Sequence, residues 1–407
     1  MRITRFALPL LMLSAPLAAE PGLPDTAAVK GVLDEHPSVV AARHKVEAAM
    51  ADARARAKGP HEFTLSGGYD RRRIDLEGEF DEYSAELTRG VRLPGKAAID
   101  REIGQYGVAA AKHLAEDAKH QAALLLAGHW FDWLGASARA AIDRQAVANY
   151  EAALSAVRRR IALRDASELD ADQTAAALGS ARAMAEESAG RAALARRRLE
   201  THFPGLPLPA EAPDLPQPQL PEGGLDRLRD LVLSESHELA AAEAEAQRMA
   251  SLAERARRER IADPSIGVRI FSERGGSERG AGLIFSVPLG GGNRRAQADQ
   301  AAATASAARS EERLAHFTVT QTAEDDLAEA RYTLAVWQRA REGLEAQTAA
   351  LTKMRRGQEL GEIDLADRLL AERMVHDAFR GEVAARTEAL RAITKLRIDS
   401  HDLWLAD

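Results

Sequence analysis

"YSAELTRGVRLPGKAA", residues 83–98, supports two incompatible readings. Gly90, four residues, then Gly95 and Lys96 match the phosphate-cradling spacing G-x-x-x-x-G-K, but the Ser or Thr that should follow to hold Mg²⁺ is Ala97. Read by period, Tyr83, Ala85, Leu87, Val91 and Leu93 share one face, and Ser84, Glu86, Thr88 and Arg92 the other. That alternation describes a strand with one apolar side, closed by Pro94 and Gly95. "AGLIFSVPL" from Ala281 repeats it, and "FTLSGGY" from Phe63 and "SIGVRIF" from Ser265 behave similarly. Soluble hairpins packed on helices would carry this pattern, and so would membrane-barrel strands, which need about 9–11 tilted residues. Four such strands are too few to close a spanning barrel, so lipid-facing strands would have to be pooled from several chains.

Proline marks out the rest of the 407-residue chain. None falls between Pro94 and Pro204 and none after Pro288, while "FPGLPLPAEAPDLPQPQLP", residues 203–221, holds seven. Such a segment is an extended, semi-rigid connector. The halves on either side share an order of parts: a helix, two short strands, a Gly-containing corner, a very long helix, a break and a last helix. Leu93 corresponds to Leu289 and Asp170 to Asp367, 196 and 197 positions apart, which points to an internal duplication.

The predicted boundaries are a first repeat over 20–202, a connector over 203–223, a second repeat over 224–400 and a tail over 401–407. The first repeat places strands at about 61–74 and 81–93, a long helix at about 95–163 and a helix at about 167–202. The second places strands at about 264–273 and 279–289, a long helix at about 292–356 and a last helix at about 362–398. At 1.5 Å per residue, the long helices reach about 100 Å. They need antiparallel neighbours, and their many alanines permit close approach.

Composition narrows the function. Residues 1–19, with Arg2, Arg5, the apolar stretch Phe6–Leu13 and "SAPLAAE", read as an export signal cleaved after Ala19. No cysteine is present, which removes a lipid-anchor Cys, disulfides and thiolate chemistry. The formal charge of −7 gives no basic footprint for nucleic acid. His113, His120 and His129 lack the H-E-x-x-H spacing and read as surface or packed side chains rather than ligands. No nucleophile stands with a base, so neither an enzyme nor a cofactor is expected. The sequence on its own leaves an exported coiled-coil protein with hairpin decorations as an alternative.

In their order and spacing these parts resemble the TolC family of bacterial outer-membrane efflux ducts. The resemblance spans nearly the whole mature chain and is strongest at the corners "RLPGKAAIDRE" (Pro94, Gly95) and "FSVPLGGGNRRAQAD" (Gly290, Gly291, Gly292), and at "LGEIDLADRLLAERM" from Leu360. It implies a mainly α fold with a membrane β-barrel. Each protomer of a homotrimer gives four strands to a twelve-stranded barrel in outer-membrane lipid, set on a long periplasmic α-barrel. It also implies a periplasmic adaptor protein and an inner-membrane pump as partners.

Carried over by position, Asp367 matches the first acidic residue of the family's periplasmic constriction. The second falls at Leu370, a departure from the two-aspartate pattern. Asp170 matches an acidic position in the other tip helix, and Ile363 stands where a closing salt bridge has its partner, so packing by Leu370 and Ile363 would carry more of the closure. Asp170 and Asp367 also read simply as acids at helix starts, favoured there by the dipole. Two turns are the implied adaptor-docking tip. One is Leu163, Arg164, Asp165, Ala166 and Ser167. The other includes Gly357, Leu360, Gly361 and Glu362. The corner "LPGKAAIDRE" looks like the CzcC-like branch, which implies heavy-metal cations driven by an RND pump, with drugs or secreted proteins as competing cargoes.

Overall fold

The computed structural model describes residues 20–405, so the export-signal reading of residues 1–19 lies outside the described residues. The first half runs α1 (Thr26–Glu35), α2 (Pro37–Lys58), β1 (Phe63–Ile74), β2 (Gly78–Gly90), α3 (Lys96–Ala162) and α4 (Glu168–His202). The second runs α5 (Gly224–Ser234), α6 (His237–Glu259), β3 (Ser265–Glu273), β4 (Glu278–Ser286), α7 (Gly292–Glu359) and α8 (Leu365–Asp399). Both halves therefore use one order: a helix pair, a hairpin, a very long helix and a last helix.

The chain forms two compact units, each drawing on both halves. One takes the stretch up to Val32, Gly128–Gln219 and Leu334–Leu390; the other takes Leu33–Ala127, Leu220–Thr333 and the stretch from Arg391. The second unit holds all four strands in one antiparallel sheet of order β1-β2-β3-β4. Its central pairing, β2 with β3, joins the two halves, with Leu87 opposite Val268 and Gly90 opposite Ser265.

Small residues set the helix packing in both units. In the sheet-bearing unit, Ala122, Ala123, Ala241, Ala244, Ala323 and Ala330 are buried together with Ile103, Leu126, Leu228 and Leu396. A Cβ on Gly104 would stand 2.9 Å from Ala53 Cα, so α2 and α3 touch backbone to backbone there. In the other unit, a Cβ on Gly135 would meet Thr387 at 2.8 Å, and larger side chains (Trp130, Phe131, Leu134, Leu199 and Phe203) fill the wider spaces. This is the close approach that an alanine-rich helix allows and a Leu-rich one would block.

The Pro-rich connector is tied down by arginines, because its carbonyls have no ladder to join. Arg196 donates to Pro209 O and Ala210 O at 2.9 and 2.7 Å, and Arg386 donates to Leu215 O at 3.2 Å. Arg386 is itself oriented by Glu382, which accepts from it at 2.9 and 2.6 Å and from Trp337 Nε1 at 2.8 Å. Glu382 is 2% exposed. Truncating it would leave a half-buried guanidinium without its carboxylate and a buried indole N–H unmatched. Glu382→Ala is therefore expected to destabilise the protein by about 3–5 kcal/mol and to speed proteolysis within 203–219; a denaturant midpoint equal to wild type would contradict this.

Candidate functional site

Three places in the fold carry the candidate chemistry: the two faces of the sheet, the strand-to-helix corners, and the turns between the long and last helices. Strand register decides the first. Leu65, Leu87, Val268 and Leu283 form one row across all four strands, flanked by the row Phe63, Arg89, Ile266 and Phe285 and the row Gly67, Ala85, Ile270 and Ala281. These apolar side chains face outward, Leu65 at 75%, Leu283 at 89% and Phe285 at 70% exposure. The opposite face carries Thr64, Ser66, Ser84, Glu86, Thr88 and Arg269, with Arg269 paired to Glu86 at 3.5 Å. Phe271 and Ile284 also lie on that face, and the contrast with a hairpin whose apolar side is covered by helices is that the apolar rows here stay exposed. Strands β1 and β4 each pair on one side only among the described residues, so two rows of backbone donors and acceptors are left open. No described helix is long and apolar enough to cross a membrane.

At the first corner, the phosphate-loop look-alike resolves into a buried ionic joint. Lys96 is 1% exposed, and its Nζ donates to Glu259 Oε2 at 3.0 Å, Ile261 O at 2.8 Å and Asp263 Oδ1 at 2.7 Å. All three ammonium protons are thus used inside the protein, and none is left for a phosphate. Asp263 also accepts from the Leu93 N–H at 3.0 Å and lies 2.9 Å from His61 Nε2. Burial alone would raise the Asp263 carboxyl, but Lys96, His61 and the Leu93 amide hold it down at about 2. Beside it, Asp100 takes Arg92 at 2.7 Å and Arg255 at 2.8 Å. This network explains why β2 closes at Gly90. Beyond that point, Val91 bonds the Pro264 carbonyl and Leu93 bonds a side chain instead of a neighbouring strand. Gly95, at φ 85, makes the turn itself.

The second corner has the same geometry without the lock. Gly290 takes φ 87, and a Cβ on Gly290, Gly291 or Gly292 would meet open space. From the first turn of α7, half-buried Arg294 donates to Pro288 O at 3.4 Å and to Gly290 O.

The tip turns match one another bond for bond at a spacing of 197 residues. In the first, Asp165 N–H reaches Arg160 O at 2.9 Å and Arg164 N–H reaches Ile161 O at 2.8 Å; in the second, Glu362 N–H reaches Gly357 O at 2.9 Å and Gly361 N–H reaches Gln358 O at 3.0 Å. Both are Schellman closures, with Arg164 (φ 62) and Gly361 (φ 77) at the left-handed position. Helix starts follow at once. Ser167 Oγ accepts from the Asp170 N–H at 3.2 Å, and Asp364 Oδ1 accepts from the Asp367 N–H at 2.8 Å.

The two acids then part company. The Asp170 carboxylate accepts from the Ser167 N–H at 2.8 Å and so completes a capping box, whereas the Asp367 carboxylate is exposed and has no partner among the described residues. Ile363 packs over Gly357, where a Cβ would stand 2.7 Å from Ile363 Cδ1. Leu163, Leu360 and Leu370 are exposed at 78%, 59% and 57%, and Ala166 is half-buried beside them. A core of Tyr150, Leu154, Leu178 and Ala181, with Leu369 packed on it, fixes the turns from below. Sequence reasoning named Asp170, Asp367 and the turn residues but missed the joint built from Lys96, Asp100, Arg255 and Asp263. Its one visible signal was a lysine placed directly after Pro-Gly at a strand end.

Two outcomes follow. Lys96→Met leaves the buried Asp263 without its ammonium partner, though Glu259 keeps Arg255, and is expected to cost about 3–5 kcal/mol, while ATP leaves the wild-type melting curve unmoved. Gly361→Ala is expected to cost about 1 kcal/mol because an L side chain is disfavoured in the left-handed region, whereas Arg164→Gly relieves that strain and is neutral or stabilising. Equal melting temperatures for wild type and Gly361→Ala would refute the second.

No protein-family model matches the sequence, and no curated protein matches it. Solved structures do. The outer membrane protein VceC of Vibrio cholerae superposes with a TM-score of 0.75 at 15% identity, covering 93% of this chain and 96% of its own. The MtrE outer membrane channel of Neisseria gonorrhoeae, in its open state, gives 0.70 at 17% identity over 99% and 98% of the two chains. The CmeC outer membrane channel of Campylobacter jejuni gives 0.70 at 13% identity over 94% and 86%. MtrE and CmeC are outer membrane channels, and VceC is an outer membrane protein. The chain has the fold of the bacterial outer-membrane channels.

Proposed function

We propose that the protein is a TolC-family exit duct of a tripartite efflux system, exported to the outer membrane of a Gram-negative bacterium and extending into the periplasm. It passively conducts cargo delivered by an inner-membrane pump through a periplasmic adaptor. The observation that carries this reading is the sheet, whose apolar face is exposed and whose two edges are open. In lipid an unpaired strand edge costs several kcal/mol per group. Three chains placing β4 beside the next chain's β1 would remove every edge and give twelve strands, with the Glu86–Arg269 face inward. Fold likeness to VceC, MtrE and CmeC supports the same reading.

Asp367 is the acid we assign to the gate, since Asp170 is already committed to its capping box. Three Asp367 carboxylates around one axis would lie closer than a Debye length of about 8 Å and repel or bind ions together. Leu370 and Ile363 line the same closure. Exposed Leu163 and Leu360, with Arg164, Asp165, Gly361 and Glu362, form the adaptor-docking tip. For cargo, the "LPGKAAIDRE" corner favours heavy-metal cations moved by an RND pump over drugs or secreted proteins.

The duct reading is tested by fractionation and planar-bilayer recording. A detergent-extracted outer-membrane trimer that conducts is expected, and a monomer soluble without detergent would end it. In that trimer, Asp367→Ala is expected to weaken block by trivalent cations at least several-fold while leaving assembly intact, and Asp170→Ala to change block little. Unchanged block in Asp367→Ala would remove that residue from the gate. Gly361→Trp is expected to abolish export from cells while trimers persist.

A further inference from the structure

The eleven histidines look scattered along the sequence, yet the fold gathers four of them in the sheet-bearing unit. His113 and His120 lie on α3. His237 opens α6 behind its N-cap Ser236, and His401 stands in the turn after α8. Their ring centroids form a file, with 5.8 Å from His113 to His237, 4.9 Å from His237 to His401 and 5.4 Å from His401 to His120. A small cavity of about 40 Å³ opens among His120, His237, His401, Asp117, Glu238 and Asp399. Among the described residues no three such side chains converge as a metal ion requires, so the arrangement is a proton problem rather than a ligand set.

One neighbouring pair in the file, His120 and His401, is held in opposite states. His120 Nε2 lies 2.7 Å from Asp399 Oδ1, and its Nδ1 lies 3.8 Å from Asp117. Burial opposes a charge on His120, but the two carboxylates outweigh it and raise the imidazole to about 9. His401, next to this imidazolium, has both ring nitrogens buried, and the Asp399 backbone is the one hydrogen-bonding group beside them that favours a charge. Burial first, and then the charges on His120 and His237, hold it down at about 4.

The other elements around His401 do not relieve it. On α6, His237 sits at the helix N-terminus, where a cation is disfavoured, beside Glu238. On α8, the Asp399 carboxylate favours a charge but is already held by His120 and by Lys395 at 2.9 Å. On α7, Asp326 is paired with the same Lys395. On α3, Asp117 serves His120. After His401, Asp402 is engaged by Arg227 at 3.0 Å and Arg397 at 3.2 Å.

The segment that His401 secures is compact and strained. Leu403 and Trp404 are 5% and 3% exposed, while His401 and Trp404 both take left-handed backbone, φ 58 and 62. The turn is closed by Ser400 N–H to Leu396 O at 3.0 Å, His401 N–H to Ile398 O at 2.9 Å and Leu403 N–H to Arg397 O at 3.2 Å.

We propose that this file of histidines is an acid-sensitive clasp: neutral His401 keeps the turn 400–405 packed in the sheet-bearing unit, and a proton on His401 releases it. The sign follows from linkage. A histidine held neutral in the fold contributes its full stability above its free value of about 6.5 and loses that contribution as pH falls toward its folded value. His120 works in the other direction, contributing below about 6.5 and losing it as pH rises toward its folded value near 9. Opening of the turn 400–405 exposes His401 and leaves the His120–Asp399 pair of α3 and α8 in place, so the His401 contribution alone sets the sign, and the clasp is tight near neutrality and opens in acid.

The experiment is amide hydrogen exchange of the full chain in detergent from about pH 7.5 to 4.5, corrected for intrinsic rates. Protection of Ser400, His401 and Leu403 is expected to fall roughly 10- to 30-fold by about pH 5, while the tip turns at Arg164 and Gly361 keep theirs. His401→Asn, which tolerates the left-handed backbone and does not titrate, is expected to abolish this loss. Wild-type protection that is constant with pH, or an equal loss in His401→Asn, overturns the proposal. Should that variant not fold, histidine Cε1 labelling of the wild type decides the matter, and a His401 midpoint at or above about 6.5 overturns it. The clasp does not depend on the duct reading, which is tested separately by conductance.

Discussion

Backbone hydrogen bonding at the open edges of the sheet is the constraint on which the rest of this structure depends. A four-stranded sheet with one apolar face has no stable home by itself. In water the face is uncovered, and in lipid the edges are unpaired. Here the helices do not resolve the conflict, because Leu65, Leu283 and Phe285 stay exposed. In the proposed duct, edge-to-edge pairing with further copies closes the edges and lipid covers the apolar face. The duplication fits that requirement. Each half supplies one hairpin, and the β2–β3 pairing already shows how hairpins of the two halves meet.

The two halves share geometry more strictly than chemistry. At the tip, two Schellman turns and two N-caps superimpose in register, yet Arg164 occupies the left-handed position where the second half has Gly361, and Ser167 caps where Asp364 does. At the corners, Gly95 and Gly290 make equivalent turns, but only the first is clamped by a buried lysine. The backbone path is what packing demands of both halves. The polar groups that stabilise it were free to differ, and each difference marks where one half is rigid and the other is not. Asp170, absorbed by its own capping box, and Asp367, left exposed, are the clearest case.

The same contrast explains how much was legible in the sequence. Strand alternation, the Pro-rich connector and the long proline-free runs are local or periodic, so they could be read directly, and residues 83–93 disclosed their apolar face by spacing alone. The Arg164 and Gly361 turns were visible because helix ends have a limited vocabulary. The Lys96 joint was not legible, since its acceptors lie on α6 and on the loop before β3, more than 160 positions away. The histidine file was equally hidden. Its members come from α3, α6 and the turn after α8, and no spacing rule spans three elements.

Three buried ionic contacts among the described residues fasten segments that lie between or beyond the long helices. Lys96 and Asp263 hold the strand-to-helix corner, Glu382 and Arg386 hold the connector, and His120 and Asp399 hold the last turn of the chain. Long alanine-rich helices pack through small contacts that slide easily, and apolar burial alone specifies their register weakly. An ion pair that is satisfied in only one register supplies what alanine cannot, because any slip leaves a charge desolvated and unmatched. The helices provide the length and the fixed charges set where it ends, which is why a lysine that imitates a phosphate loop is better understood as a rivet.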